Sequence, residues 1–187
     1  VGRPGDVTLI PFYKAHHQRY TVYWDLQTEK QWQRTKTERE AARRRREQLR
    51  ARTVDLVTPE AQSERDHQFQ SEKSAAFSFH GRRCRHTEVG GWFSYEMKIV
   101  PNQPAELVVT YWGGDTGNRA FDIQIDGTKI ASQSLNGEKP GVFFDVSYDV
   151  PENLSKGKDK VSVRFEAHPG KIGGGVFQCR TARRPKK

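Results

Sequence analysis

Beyond residue 54, apolar and polar positions alternate with a period of two in one short segment after another. Ala75, Phe77 and Phe79 alternate with polar neighbours, and so do Phe93, Tyr95, Met97 and Ile99. The stretch from Ala105 to Trp112 is rich in β-branched and aromatic residues. Phe121, Ile123 and Ile125 alternate, and Asp126-Gly127 is a hairpin-turn dipeptide leading to Ile130. Phe144, Val146, Tyr148 and Val150 keep the same rule, then Val161, Val163 and Phe165, and a last strand is read over Val176 to Arg180. Val54 to Val57 reads as a short edge strand before Pro59, and residues 60–73 read as polar loop. Successive side chains of a strand point to opposite faces, so this period puts one face of each strand in a core and the other in water. Short strands at regular spacing, with no long helix between them, predict a mainly β fold: an antiparallel β-sandwich or jelly roll over residues 54–182.

The pattern differs upstream. Residues 1–27 look extended, with Tyr20, Val22 and Trp24 alternating with Arg19, Thr21 and Tyr23. No nearby segment pairs with this aromatic strand, so its partner is expected in a preceding catalytic or β region of a parent protein. Residues 28–53 read as a helix. Thr28 followed by Gln31 fits a capping box, and Glu40–Arg44 has the favourable i,i+4 order. Its apolar residues are few (Trp32, Ala41, Ala42, Leu49), so the helix has little to bury and reads as a charged, solvated linker. Residues 183–187 form a basic tail.

Composition sharpens this division. Of the 187 residues, 34% are hydrophobic and 29% charged, which fits a compact core with polar appendages. The net charge of +9 raises nucleic acid as a partner. Yet residues 34–52 carry nine Lys/Arg against three Glu, and residues 180–187 carry five with no acid, which leaves the remainder slightly acidic. No aromatic reading motif accompanies the charges, so nonspecific phosphate contact through the basic helix is the most that this chemistry offers. No run approaches the roughly 18 apolar residues of a membrane span, so no membrane partner is expected. The chain begins at Val1 without a signal-like stretch and reads as an excised or processed piece. Two cysteines, Cys84 and Cys179, are too few for a disulfide framework; two separate thiols and one long-range bond both remain open.

The candidate chemistry is that of binding. The segment Trp112-Gly113-Gly114-Asp115-Thr116-Gly117-Asn118-Arg119 joins an indole face to polar side chains on a glycine-rich turn. A sugar packs its C–H face on such a ring, while Asp115, Asn118 and Arg119 supply directional hydrogen bonds. The alternative is that Trp112 ends a strand in the core and that Asp115 and Asn118 only make turns. Trp92, in Gly90-Gly91-Trp92-Phe93-Ser94-Tyr95, lies opposite Phe93 and Tyr95 and offers a second stacking surface if they face inward. The set His80, Cys84 and His86 fits no standard metal-ligand spacing, so no metal site and no cofactor are expected. The stretch from Gly170 to Gly175 reads as a loop between the last two strands, with His168 beside it, and lacks the strand-then-helix context of a phosphate loop. No catalytic constellation is visible, so catalysis by this chain is not expected.

Several segments carry a family resemblance. "TLIPFYKAHHQRYTVYW" (8–24) resembles the end of the catalytic region of bacterial β-L-arabinofuranosidase-type glycoside hydrolases, families 127 and 146. "GGWFSYEMKI" (90–99), "VTYWGGDTGNRAFDIQIDGTKIA" (109–131), "GVFFDVSYDVP" (141–151) and "GGGVFQCR" (173–180) resemble their C-terminal, substrate-binding-type domain. The chain departs from that pattern at Cys84, where an aromatic residue is expected. The resemblance implies a galactose-binding-like sandwich and a non-catalytic accessory role. It implies carbohydrate as ligand, in particular an arabinose-containing plant glycan, and the missing catalytic domain of the parent protein as partner. It also implies a periplasmic or secreted bacterial location. Carbohydrate-binding residues are expected at Trp112, Asp115, Asn118, Arg119 and Trp92. A purely structural domain supporting the catalytic barrel is the competing expectation.

Overall fold

In a computed structural model, residues 27–185 are described. Their elements, in chain order, are α1 (Glu29–Arg52), β1 (Thr53–Val57), α2 (Ala61–Asp66), β2 (Gln70–Phe79), β3 (Arg82–Lys98), β4 (Ala105–Trp112), β5 (Arg119–Ile125), β6 (Thr128–Leu135), β7 (Phe143–Val150), α3 (Glu152–Ser155), β8 (Lys160–Ala167), β9 (Ile172–Val176) and β10 (Gln178–Arg183). The extended segment expected over residues 1–27 falls, but for Gln27, outside the described residues.

The strands form two sheets. One has the order β1-β10-β4-β7; the other runs β2-β3-β8-β5-β6, with β9 inserted against β3 and β5. Every pairing is antiparallel except that of β9 with β5. This is the expected β-sandwich, and the alternating positions are the ones that close it. Phe93, Tyr95 and Met97 of β3, Phe121, Ile123 and Ile125 of β5 and Val161, Val163 and Phe165 of β8 meet Leu107, Val109 and Tyr111 of β4 in one core. Phe93 stacks on Phe165 with ring centroids 5.0 Å apart. Each such side chain contributes about 1.5–3 kcal/mol by leaving water. β1 is an edge strand, as its brevity implied.

Three expectations need correction. Residues 60–73 are not a loop: they hold α2 and the first turns of β2. Here α2 brings Glu64 inward, where Arg85 of β3 binds it through two parallel N–H···O bonds, both 2.6 Å. The Tyr95 hydroxyl donates to the same carboxylate at 3.0 Å, and the Phe69 ring lies 4.2 Å beneath the guanidinium. The polar sequence that suggested a loop is a mostly exposed helix and strand start, with one acid, Glu64, turned inward to a buried ion pair. The glycine stretch before Val176 is also not a loop but the strand β9, whose glycines lie buried against their neighbours. Finally, β3 runs for 17 residues, through the Gly90-Gly91 stretch that interrupts its alternation.

The helix α1 is the expected charged helix. Its capping box forms: Thr28 N–H donates to Gln31 Oε1 at 2.9 Å, and Gln31 N–H donates to Thr28 Oγ at 3.3 Å. No residue of α1 is buried, and an Arg34–Glu38 pair at 2.9 Å decorates its surface. At its end, Arg52 binds Glu106 of β4 and donates to the Arg183 carbonyl at 2.9 Å.

Candidate functional site

The turn after β4 builds a cleft. Trp112 is the last residue of β4, half-buried, and the chain then reverses through Gly113 and Gly114. The reversal needs glycine. A Cβ on Gly113 would lie 2.0 Å from the Lys139 carbonyl oxygen. The cleft it opens measures about 270 Å³. Phe77 and Phe79 of β2, Trp112 and Phe177 form its aromatic walls, Asp115 and Arg119 its polar end, and Cys84 lines it as well. The Trp112 ring lies 4.9 Å from Phe143, 5.0 Å from His80 and 5.4 Å from Phe79, centroid to centroid, so neighbouring rings fix its orientation.

An ion pair holds the polar end together. Arg119 Nε donates to Asp115 Oδ2 at 2.5 Å, with only 10% and 15% of the two side chains exposed. Asp115 Oδ1 also accepts the Gly117 N–H at 3.1 Å, which folds the turn back on itself. Gly175 of β9 backs the pair in a left-handed conformation, φ +82°, and a Cβ there would come within 3.0 Å of Asp115 Oδ2. One donor is left over: Arg119 Nη1 is buried and has no partner among the described residues. Asp115 balances the Arg119 charge, so the free donor suits a neutral oxygen such as a hydroxyl.

The other candidates sit as follows. Asn118 is exposed with φ +57°, and its Oδ1 accepts from Lys171 Nζ at 2.6 Å; it does not line the cleft. Trp92 lies outside the cleft, on the face of β3 opposite Phe93, as its alternation implied. Its ring is covered by the Arg164 guanidinium at 3.9 Å, and its Nε1 donates to Glu72 at 3.4 Å. Three of the five expected residues thus converge: Trp112, Asp115 and Arg119. Sequence reasoning missed Phe77, Phe79 and Phe177. The alternation marked Phe77 and Phe79 as strand residues but did not reveal which loop they would face.

The histidines and thiols do not converge on a metal. Among the described residues no group of three His, Cys, Asp or Glu side chains is placed to hold one. His80 packs its ring on Phe79 at 4.4 Å, and His86 meets Phe77 edge-on at 5.2 Å. Burial, and next the Arg119 charge, push the His86 imidazole below its ordinary pKa, so it is neutral at pH 7. Both cysteines are free and buried. Burial pushes the Cys84 thiol up to about 12, which removes it as a nucleophile at neutral pH. His168 holds Asp122 at 2.6 Å, away from the cleft lining.

Residues 48–182 match the model of a protein family described as one of unknown function, DUF6805. No curated protein matches the chain. Among solved structures, the chain is similar to a family 35 carbohydrate binding module from an environmental isolate, at 14% identity and a TM-score of 0.52, over 71% of this chain and 98% of that one. It is also similar to the CBM35 from Cellvibrio japonicus Abf62, at 16% identity and a TM-score of 0.51, over 68% of this chain and 92% of that one. At these identities the likeness establishes a shared β-sandwich fold.

Proposed function

Because the chain belongs to the family of unknown function DUF6805, we propose its role from the cleft itself: it is a non-catalytic accessory domain that binds carbohydrate. The observation that carries this reading is the pairing of an aromatic wall with a single unmatched donor. Trp112 and the phenylalanines present C–H-compatible surface, and Arg119 Nη1 lacks an acceptor. A few placed polar groups on an aromatic lining is how small-ligand sites are built. At about 270 Å³ the cleft lies just below the roughly 300 Å³ at which such pockets begin, so it takes one sugar ring, at a chain end or side branch, rather than a run of them. The sandwich it shares with the family 35 modules supports the reading.

In its finer form the proposal follows the family resemblance. The ligand is an arabinose-containing plant glycan, and the partner is a catalytic barrel of a glycoside hydrolase in the same parent protein, exported by a bacterium. Tethering then converts weak capture of the polymer into a high local substrate concentration at the barrel. Residues 54–182 act as the binding unit in this proposal, and residues 28–53 as its linker.

Calorimetric titration with arabinan and arabinoxylan oligosaccharides tests it. Saturable heat is expected, with Trp112→Ala weakening binding about tenfold, equivalent to ~1.4 kcal/mol. Flat titrations across both glycans would overturn the reading. They would favour a structural domain, for which Trp112's packing against Phe79 and Phe143 is the specific support. In that case Trp112→Ala lowers the melting temperature and changes no affinity.

A further inference from the structure

We propose that the outer face of the four-stranded sheet is a second binding groove, built for a carboxylate-bearing oligosaccharide. It shares with the proposed function only the premise that the domain meets glycans. The groove measures about 710 Å³ and is lined by five arginines: Arg46 and Arg50 from the last turns of α1, Arg82 and Arg83 from the start of β3, and Arg180 from β10. The sequence placed basic charge in a helix and a tail. The fold brings part of that charge together over β1, β10, β4 and β7, and adds two arginines from the β2–β3 turn.

Arginines outnumber acids in the groove five to two. Among the described residues no carboxylate forms an ion pair with any of the five. Two acids line the groove, Glu60 and Asp145, and Asp145 already accepts the Thr110 hydroxyl at 2.6 Å. Arg180 supplies a second, independent observation. Its Nη2 donates to Gln178 at 2.7 Å, but its Nε is buried without a partner. A buried donor with nothing to bind costs stability that an arriving acceptor restores. Guanidinium and carboxylate are both planar, and their two-bond pairing is the strongest exposed recognition that arginine offers.

Two features favour a glycan over nucleic acid. The groove's half-buried aromatic residue, Phe143, has its ring capped by Arg82 at 4.1 Å and packed against Trp112 and Phe177 at 4.9 and 4.8 Å, which leaves no free face for a base. Single-strand binders depend on such stacking. Glu60 and Asp145 also oppose a dense phosphate chain, whereas a polyuronate with one charge per sugar threads between them.

The test titrates the whole chain with polygalacturonate oligomers, neutral arabinan, a sulfated glycan and a single-stranded oligonucleotide, at low and moderate salt. Saturable binding of the polygalacturonate is expected, weakened by added salt, and reduced about tenfold or more by R46E/R50E, a pair of exposed helix substitutions that leave the core alone. R82Q/R180Q should act in the same direction. W112A should leave this binding intact while weakening capture of neutral glycan about tenfold, so failure of the cleft and failure of the groove are separately visible. The proposal is overturned if R46E/R50E and R82Q/R180Q both leave polygalacturonate affinity unchanged. It is overturned equally if the oligonucleotide or the sulfated glycan binds more tightly than polygalacturonate.

Discussion

Glu64→Gln isolates what the buried ion pair does for the domain. The substitution keeps the shape of the side chain and removes its charge. Arg85, 8% exposed, would then hold an uncompensated guanidinium inside the sandwich, and the two 2.6 Å bonds would lose their charged acceptor. Breaking a buried pair from one side costs about 3–5 kcal/mol. For a chain of this size each kcal/mol moves the melting temperature by roughly 2–4 °C, so a fall of roughly 6–20 °C is expected. Removing both charges at once, as in E64L/R85M, should recover most of that loss, because an apolar pair of similar volume is often neutral or better. Recovery should stop short of complete, since the Tyr95 hydroxyl loses its acceptor at a cost of about 1–3 kcal/mol. Adding Tyr95→Phe should close the gap. Urea unfolding followed by tryptophan fluorescence, read as a double-mutant cycle, gives the coupling directly. A loss below about 1 kcal/mol for E64Q, or a double variant no more stable than the single, would refute the view that α2 is tied down by this pair.

Two further outcomes follow from the charged and titratable groups. Burial raises the Asp122 pKa, but hydrogen bonds from Ser132, His168 and Lys129 outweigh it and bring the carboxyl down to about 2. Its folded pKa lies below the unfolded value of about 3.9, so its contribution is complete above about pH 4 and is lost as the pH falls toward 2. Asp122→Asn should flatten the stability profile in that window, and a profile unchanged by the substitution counts against the assignment. Burial likewise drives both thiols upward, Cys84 to about 12 and Cys179 further. A thiol-specific colorimetric reagent at pH 8 should therefore find no fast-reacting cysteine in the folded chain and two after denaturation. Rapid labelling of either before unfolding contradicts the burial.

Much of the fold was legible because a half-buried strand must alternate. The runs at Phe93–Ile99, Phe121–Ile125 and Val161–Phe165 could only be packed with those faces inward, and they are. Where alternation failed, so did the reading. Alternation cannot mark α2, because its inward residue is an acid whose partner lies 21 positions away. Three of the five residues of β9 are glycines, whose lack of side chains hides a strand from any hydropathy pattern. The cleft was half legible. Trp112, Asp115 and Arg119 share one turn, so their proximity follows from chain adjacency. Phe77, Phe79 and Phe177 reach the cleft only through sheet pairing. Trp92 illustrates the same limit. Its exposed side was predictable from phase, but its cover by Arg164 depends on β3 lying beside β8, which no local pattern specifies. The arginine groove is the strongest case, since three separate segments supply its charge.

The pairing of the first strand with the last sets how this domain responds to being pulled. Thr53 lies opposite Ala182 and Val57 opposite Cys179, so the two ends of the sandwich leave side by side from one sheet edge. Tension applied through flanking segments would peel β1 from β10 one rung at a time, rather than loading all the rungs together. Pulled from both ends, the sandwich would therefore yield first at this seam. The cleft's turn and β9 adjoin the far end of that seam, past the Val57–Cys179 rung, and would be the last parts to feel the load.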